Sequence, residues 1–226
     1  MAEIDRITDA LTPHGLIVRG GFHPAADDGV PDDPATLIMV GNAGSAMWQA
    51  VEASGVGGRY SESPNPLDDW IGNVLREAAA ALGATPLFPF GGPPHLPFQR
   101  WAQKADAVYP SPLGVLIHPD YGLWHAYRGA LAFAERLDLP SPDSRPRPCD
   151  TCADKPCLTV CPVDAFGPNG YDVPVCVAHI SASEGADCMD LGCRARRACP
   201  VGKDYIYEPV HAAFHMTAFK RAQDGD

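Results

Sequence analysis

The sequence predicts a sheet domain of mixed helices and strands, α/β or α+β, followed by a small cysteine-rich domain; we take α+β as the fold class. Three observations support this prediction. The chain has 226 residues, which suffices for one medium domain with a small appendage. Helical and strand-like apolar patterns alternate in its first part. All eight cysteines fall within the 51 residues from 149 to 199.

Composition and charge limit the classes of partner. Apolar residues make up 46% of the chain and charged residues 20%, enough to bury a core. With 17 basic and 28 acidic residues the net charge is −11, which repels phosphate backbones. No apolar run approaches the ~20 residues of a membrane span, and the acidic N-terminus is unlike a signal peptide. We therefore expect a cytoplasmic protein that binds neither nucleic acid nor a membrane.

The first half of the chain contains two predicted helices and two predicted strands. Periodic apolar residues at 4–11 predict the first helix, and short apolar runs at 16–18 and 36–40 predict buried strands. The clearest helix begins at the capping residue Asn65, which is followed by proline at the first helical position, and ends at Gly83.

The remaining elements are shorter, apart from a terminal helix. Apolar runs predict strands at 85–90, 114–118 and 125–134. A short helix is predicted around Trp101. The terminal helix is predicted over 209–221, with proline in its first turn.

A proline-rich segment separates the two parts. Four prolines fall within residues 140–148, which favours an extended connection without helix or inner strand. We predict a sheet domain over 1–140, a linker over 141–148, and a cysteine-rich domain with the terminal helix over 149–226. Residues 1–84 carry no recognisable functional motif.

The cysteine spacing indicates iron–sulfur ligation. The run from Cys149 to Pro162, C-x2-C-x4-C-x3-C-P, is close to the bacterial ferredoxin run, whose fourth cysteine binds the other cluster. A second Cys-Pro, at Cys199, closes the segment. A reducing cytosol disfavours four disulfides. We predict two 4Fe-4S clusters, one on Cys149, Cys152, Cys157 and Cys199, the other on Cys161, Cys176, Cys188 and Cys193.

Other states of the cysteines stay open at this point. The middle gap has four residues where the ferredoxin run has two, so the cluster type is less defined than cluster binding. Two structural zinc ions are an alternative, although zinc sites normally show two CxxC pairs per ion and only one such pair occurs here. Arg194, Arg196 and Arg197 would partly offset the anionic ligands, or would form a solvated basic loop.

Residues 116–129, LIHPDYGLWHAYRG, carry a resemblance to a known family. They resemble the HP-x-[FY]-G-x-W-x-A-x-RG stretch of the cobalamin-processing proteins of the methylmalonic aciduria type C (CblC-like) family, which are intracellular decyanases and dealkylases. The stretch lies at a predicted strand, turn and strand, where a binding loop is expected. The resemblance implies a nitroreductase-like, cobalamin-binding sheet domain.

The cysteine-rich part resembles a second group of proteins. Epoxyqueuosine reductase and the reductive dehalogenases join a related cobalamin-binding domain to a ferredoxin-like domain with two 4Fe-4S clusters, and the order of ligands is similar here. Residues 174–181, PVCVAHIS, are similar to the isolated-cysteine segment of epoxyqueuosine reductase. Residues 90–94, FGGPP, lack the acidic proton donor of that reductase, and its helical repeats for tRNA are absent, so tRNA modification is disfavoured.

Together these resemblances imply an oxidoreductase that binds cobalamin and reduces it or removes its upper ligand. Its cofactors would be two 4Fe-4S clusters and cobalamin, served by an external electron donor. Gly114 and Gly122 would let backbone approach the corrin, Tyr121 and Trp124 would contact it, and Arg128 occupies the position of the family's pocket arginine for a thiol co-substrate. The residues expected to bind cobalamin are Pro112, Leu113, Gly114, His118, Pro119, Tyr121, Gly122, Trp124 and Arg128.

Structural interpretations of the same residues remain open. Tyr121 and Trp124 are equally interpretable as core aromatics, Arg128 as a structural ion-pair member, and His118 as a ring that bonds a backbone carbonyl. Two other functions fit the motifs: a ferredoxin-like electron carrier that does not bind cobalamin, and a zinc-stabilised binding module.

Two further patterns are weak. Residues 41–44, GNAG, lack the full glycine motif or lysine of a phosphate loop and predict a tight turn instead. His211 and His215 have helical i,i+4 spacing, but no glutamate lies beside either in the HExxH pattern, which disfavours a metal site.

Overall fold

The computed structural model describes residues 3–55, 63–141 and 143–225. Contacts between residues divide the chain into two compact units. The sheet unit comprises Met1–Ala107 and His125–Ser144, and the cysteine unit comprises Val108–Trp124 and Arg145–Asp226. The domain boundary predicted within 141–148 stays a prediction, and residue 142 lies outside the described residues. The segment Val108–Trp124 belongs to the cysteine unit, which the sequence did not indicate.

The sheet unit is built on a four-stranded sheet. Its strand order is β1-β2-β6-β3, and every neighbouring pair is antiparallel. Antiparallel pairing identifies the class as α+β rather than α/β. Two short hairpins, β4–β5 and β7–β8, lie in the cysteine unit. The strands are β1 Ile17–Phe22, β2 Thr36–Ala43, β3 Thr85–Leu87, β4 Tyr109–Pro110, β5 Leu116–Ile117, β6 His125–Phe133, β7 Phe166–Gly167 and β8 Gly170–Tyr171.

The four helices described in the sheet unit have 8–17 residues. In the described part of the cysteine unit, the terminal helix has 16 residues, one other helix has nine, and three have four to six. None of the described helices has the length and apolar character needed to cross a membrane. Brief 3-10 helices occur at Thr12–His14, Ala26–Asp28, Pro156–Leu158, Ser183–Gly185 and Lys203–Tyr205. The α-helices are α1 Glu3–Leu11, α2 Ala46–Ala53, α3 Pro66–Leu82, α4 Phe98–Ala105, α5 Pro148–Thr151, α6 Val173–Ser181, α7 Ala186–Leu191, α8 Arg194–Arg197 and α9 Pro209–Asp224.

Helices cover both faces of the sheet. On one face, Leu37 and Met39 of β2 pack in one apolar cluster with Phe98 and Trp101 of α4. On the other, Gly129 of β6 lies against α3, where a Cβ atom would come within 2.3 Å of Leu75 Cδ1. The central strands are therefore buried on both sides, which explains why β2 is apolar without alternation.

Most predicted elements of the sheet unit are present. The helices predicted at 4–11, 65–83 and around Trp101 are confirmed, and Gly83 ends α3 in the left-handed conformation with φ 69°. Asn65 holds the cap position without a side-chain cap hydrogen bond. The strand predicted at 114–118 contains only Leu116–Ile117, because the chain reverses at once through a bridge between His118 and Gly122. Helix α2 was not predicted.

Gly41 provides a test of how tightly the sheet is packed. A bulge interrupts the β2–β6 register between Val40 and Gly41, and a Cβ atom on Gly41 would lie 2.1 Å from the Ala126 carbonyl oxygen. Gly41→Ala should lower the free energy of unfolding by about 1–3 kcal/mol, measured by urea denaturation, because backbone must move to admit the methyl group. Gly91→Ala, whose Cβ would meet nothing closer than 3.9 Å, is the control. Equal stability of the two variants would contradict the packing.

Candidate functional site

The eight cysteines gather around two cavities of the cysteine unit. All eight are free thiols. The first cavity is lined by Cys149, Cys152, Cys157 and Cys199. The second cavity is lined by Cys161, Cys176, Cys188 and Cys193. This division into fours coincides with the two ligand sets predicted from the spacing, while the ligand assignment itself stays a prediction.

Short elements bring the cysteines of the first cavity together. Cys149 lies in α5, Cys157 lies in the 3-10 helix Pro156–Leu158, and Cys199 follows α8. The unusual four-residue gap before Cys157 is accommodated by a turn in which Lys155 takes the left-handed conformation, φ 39°. The space measures about 300 Å³, counting the part open to solvent.

Three separate helices supply the second cavity. Cys176 lies in α6, Cys188 lies in α7, and Cys193 precedes α8. The Ala165 amide donates a hydrogen bond to Cys161 Sγ at 3.4 Å. The space measures about 320 Å³, counting the part open to solvent.

Burial acts on the acidity of the thiols. Burial raises the pKa of five of the eight thiols above the ordinary thiol value, and the negative charge of neighbouring cysteine thiolates raises these pKa values further. A thiol must lose its proton to bind a metal, so metal binding here would release protons. Among the described residues, no group of three or more His, Cys, Asp or Glu side chains is close enough to hold a metal ion. The five thiols are Cys149, Cys157, Cys176, Cys193 and Cys199.

Part of the predicted cobalamin loop forms a wall of the first cavity. Pro112 lines that cavity. Leu113 is buried in an apolar cluster with Cys199, and Cys149, Cys157 and Cys193 pack against the same cluster. Residues expected to face a ligand thus contact the cysteine-bearing segments.

His118 organises a closed turn. Its Nδ1 accepts hydrogen bonds from the amides of Asp120 at 3.0 Å and Tyr121 at 3.2 Å, and its ring stacks on Tyr121 with 4.3 Å between centroids. The backbones of His118 and Gly122 bond each other in both directions. Nδ1 therefore accepts from backbone amides, and the structural alternative for His118, a bond to a backbone carbonyl, stays a prediction. Pro119 is part of this turn and is partly exposed.

Gly122 lets two segments of the protein's own backbone approach each other, and its expected approach to a corrin stays a prediction. A Cβ atom on Gly122 would lie 2.1 Å from the Val201 carbonyl oxygen, and one on Gly202 would lie 2.3 Å from the Tyr121 carbonyl carbon. The close approach at Gly122 is thus between two segments of the protein. Gly114 differs: it is exposed, has φ 79°, and no atom lies within 4 Å of its added Cβ.

Arg196 binds the end of the predicted cobalamin loop, at Leu123 and Trp124. Its Nε and NH2 donate to the Leu123 carbonyl at 3.0 and 2.6 Å, and its guanidinium carbon lies 4.4 Å from the Trp124 ring centroid and 4.6 Å from that of Tyr207. Trp124 is 1% exposed, as a core aromatic would be. The neighbouring Arg194 and Arg197 instead bind Asp187.

Arg128 lies in the sheet unit, on β6, whereas the other predicted cobalamin residues lie in the cysteine unit. Its Nε donates to Asn42 Oδ1 at 2.9 Å, and buried Asn42 donates to the Gly44 carbonyl at 3.1 Å. Burial raises the pKa of Asp68 on α3, and the charge of Arg128 acts in the opposite sense. Arg128 thus has structural partners, and its role toward a co-substrate stays a prediction.

Two histidine features complete the cysteine unit. His211 and His215 hydrogen-bond each other through their Nε2 atoms at 3.1 Å, and Tyr207 stacks on His211. His179 lines the second cavity. His179 was not among the predicted site residues, although it follows Cys176 by three positions, a spacing that on a helix places both side chains on one face.

Arg196 should stabilise the cysteine unit far more than its neighbour Arg194. Arg196→Gln removes two charge-assisted hydrogen bonds and two ring contacts, so we expect a loss of about 2 kcal/mol or more in unfolding free energy of protein purified without oxygen. Arg194→Gln breaks an exposed ion pair, which solvent screens, and should cost much less. Chemical denaturation of both variants checks this, and equal losses would contradict it.

Comparison with known proteins identifies the fold. No protein-family model matches the sequence, and no curated protein matches it significantly. Among solved structures, the chain is similar to a B12-trafficking protein CblC from C. elegans, described as a homologue of human MMACHC. The TM-score is 0.56 with 14% identity, over 96% of this chain and 94% of that chain. The protein therefore has an α+β fold similar to that of this CblC protein.

Proposed function

We propose that this protein is an iron–sulfur, cobalamin-binding reductase that reduces cobalamin or removes its upper ligand. The observation that carries the proposal is the grouping of all eight cysteines into two cavities of four. It occurs in a chain whose fold is similar to that of a B12-trafficking protein. The HP-x-Y-G-x-W-x-A-x-RG stretch at residues 118–129 supports the same substrate.

The donor set fits iron–sulfur clusters. Each cavity offers four thiols, and the second also has His179 and the Met216 thioether in its lining. A single tetrahedral zinc ion, with Zn–S bonds of about 2.3 Å, needs its four sulfurs about 3.8 Å apart around one point. Among the described residues, no three His, Cys, Asp or Glu side chains lie close enough together to hold one ion in this way. When bound, 4Fe-4S clusters supply electron transfer at potentials from about −700 to +450 mV.

The chain's own residues would connect the two cavities. Helix α8 runs between Cys193 of the second cavity and Cys199 of the first. Six residues of chain span at most about 22 Å, and helical turns shorten that path. Arg196, in the middle of α8, binds the Leu123 carbonyl. The two cavities and the loop before β6 are thus held by one short helix.

Cobalamin enters this proposal as the substrate. Reduction of its cobalt by one or two electrons weakens the bond to the upper ligand; cyanide then leaves with the bonding electron pair, and an external donor replaces the electrons used. Of the predicted contacts, Leu113, His118, Gly122 and Trp124 are buried. The five with exposed surface for a ligand are Pro112, Gly114, Pro119, Tyr121 and Arg128.

A second candidate is an electron carrier that does not bind cobalamin. It is favoured by the internal packing of the loop, where His118, Gly122 and Trp124 already have partners within the protein. The two candidates share the clusters and differ in the ligand. A cobalamin titration therefore separates them.

Anaerobic purification should give a brown protein with about eight irons per chain, little zinc, and visible absorption that bleaches on reduction. Added cobalamin should change its visible spectrum on binding and lose its upper ligand when reductant is supplied. Zinc without iron would refute the clusters. Iron without any cobalamin binding would leave the electron carrier.

The division of the cysteines can be tested by combining substitutions. Cys161→Ala and Cys188→Ala both affect the second cavity, so each should remove about half of the iron and the pair should remove no more. Cys161→Ala with Cys152→Ala damages both cavities and should remove nearly all of it. Iron and sulfide per chain, measured after desalting without oxygen, check this. A further loss on combining Cys161→Ala with Cys188→Ala would contradict the division.

Arg128→Ala should weaken cobalamin binding about tenfold, the effect of losing ~1.4 kcal/mol from one charge-assisted contact, and leave the iron content unchanged. Arg136→Ala, at an exposed position of the same unit, is the matched control. Spectral titration gives the dissociation constants. Unaltered affinity with lowered thermal stability would instead support the structural interpretation, the bond to Asn42.

A further inference from the structure

His179 lies beside the second cavity in a fixed position. It is on α6, three residues after Cys176, and both side chains line the cavity. Residues three apart on a helix share one face. The helix that brings Cys176 to the cavity therefore brings the imidazole with it.

The Nε2 atom of His179 is buried and has no hydrogen-bond partner among the described residues. His179 Nε2 is inaccessible to solvent, and no described residue hydrogen-bonds to it. A buried polar atom without a partner costs free energy, and native proteins satisfy nearly all such atoms. A group held in the cavity would supply the missing partner.

The first cavity has no equivalent of this ring. It is lined by four cysteines as well, but its other lining residues are apolar apart from Lys155, and none is a histidine. The two cavities thus offer equal numbers of thiols, and only the second has a histidine ring. Each also has one cationic side chain in its lining, Lys155 in the first and Arg194 in the second, and Arg194 donates to Asp187. A hydrogen bond to the sulfur of a cluster stabilises the added negative charge of the reduced form and raises the reduction potential.

We propose that His179 Nε2–H donates a hydrogen bond to a sulfur of the 4Fe-4S cluster in the second cavity and raises the reduction potential of that cluster alone. This inference rests on the proposed function, because it needs a cluster there. His179 acts through the cofactor and is not itself a catalytic residue.

Two substitutions separate a hydrogen-bond donor from a space-filling ring. His179→Phe keeps a ring and removes the donor, whereas His179→Gln keeps an amide N–H near the position of Nε2. In a potentiometric titration followed by EPR, His179→Phe should lower the ratio of reduced to oxidised second cluster about tenfold at fixed potential, a shift of ~59 mV for one electron. His179→Gln should stay close to the wild type. The first cluster, assigned by its loss in Cys152→Ala, is the internal control.

A spectroscopic signature checks the contact directly. In protein labelled with ¹⁵N-histidine, pulsed EPR of the reduced second cluster should show a nitrogen coupling that His179→Phe removes. Unshifted potentials and no coupling in a protein holding two clusters would overturn this inference and leave the proposed function standing. A wild-type protein without iron would overturn both. If His179→Phe loses the cluster, the test is made on His179→Gln. A reduction potential equal to that of the wild type supports the hydrogen-bond donor. A tenfold lower ratio of reduced to oxidised second cluster at fixed potential contradicts it.

Discussion

The cysteine unit depends on a close contact between two stretches of backbone, Tyr121–Gly122 and Val201–Gly202. Neither glycine leaves room for a side chain, since a Cβ on either would come within 2.3 Å of the other stretch. The contact fixes the segment Val108–Trp124 against the chain that follows Cys199. Arg196 reinforces it by bonding the Leu123 carbonyl while lying between the Trp124 and Tyr207 rings. The wall of the first cavity, including Pro112, follows from this arrangement.

A cysteine-rich segment of this size needs such a contact. Its helices other than α6 and α9 have at most six residues, and a small domain has a limited apolar core. The segment Val108–Trp124 adds Leu113, Ile117 and Leu123 to an apolar cluster that several cysteines contact. Bound metal would add stability of a second kind, because metal-binding free energy becomes folding free energy where the site forms only in the folded state. Apolar contacts and metal ligation therefore support the same unit.

Local patterns in the sequence predicted most elements of the sheet unit and the grouping of the cysteines into two sets of four, which coincides with the two cavities. Contacts between residues far apart in the sequence could not be predicted. Helix α3 followed from Asn65, Pro66 and Gly83, and the two sets of four followed from the order of Cys-Pro pairs. The assignment of Val108–Trp124 to the cysteine unit could not be predicted, because Gly122 and Gly202 meet across 80 positions of sequence. For the same reason Gly122 was attributed to a ligand: a glycine shows that something approaches closely and does not show what. The position of His179 beside the second cavity could have been predicted, because helical spacing places it on the same face as Cys176.

The chain crosses from the cysteine unit to the sheet unit inside the HP-x-Y-G-x-W-x-A-x-RG stretch, between Trp124 and His125. The two halves of that stretch consequently face different constraints. Up to Trp124, the residues are required by the turn at His118, the glycine contact and the Arg196 bonds, so their types follow from packing in this unit. From His125 onward they lie on β6, where Arg128 binds Asn42. Packing therefore accounts for most of the first half. Within the stretch, Pro119, Tyr121 and Arg128 keep exposed surface that a ligand would contact, and before it Pro112 and Gly114 do so.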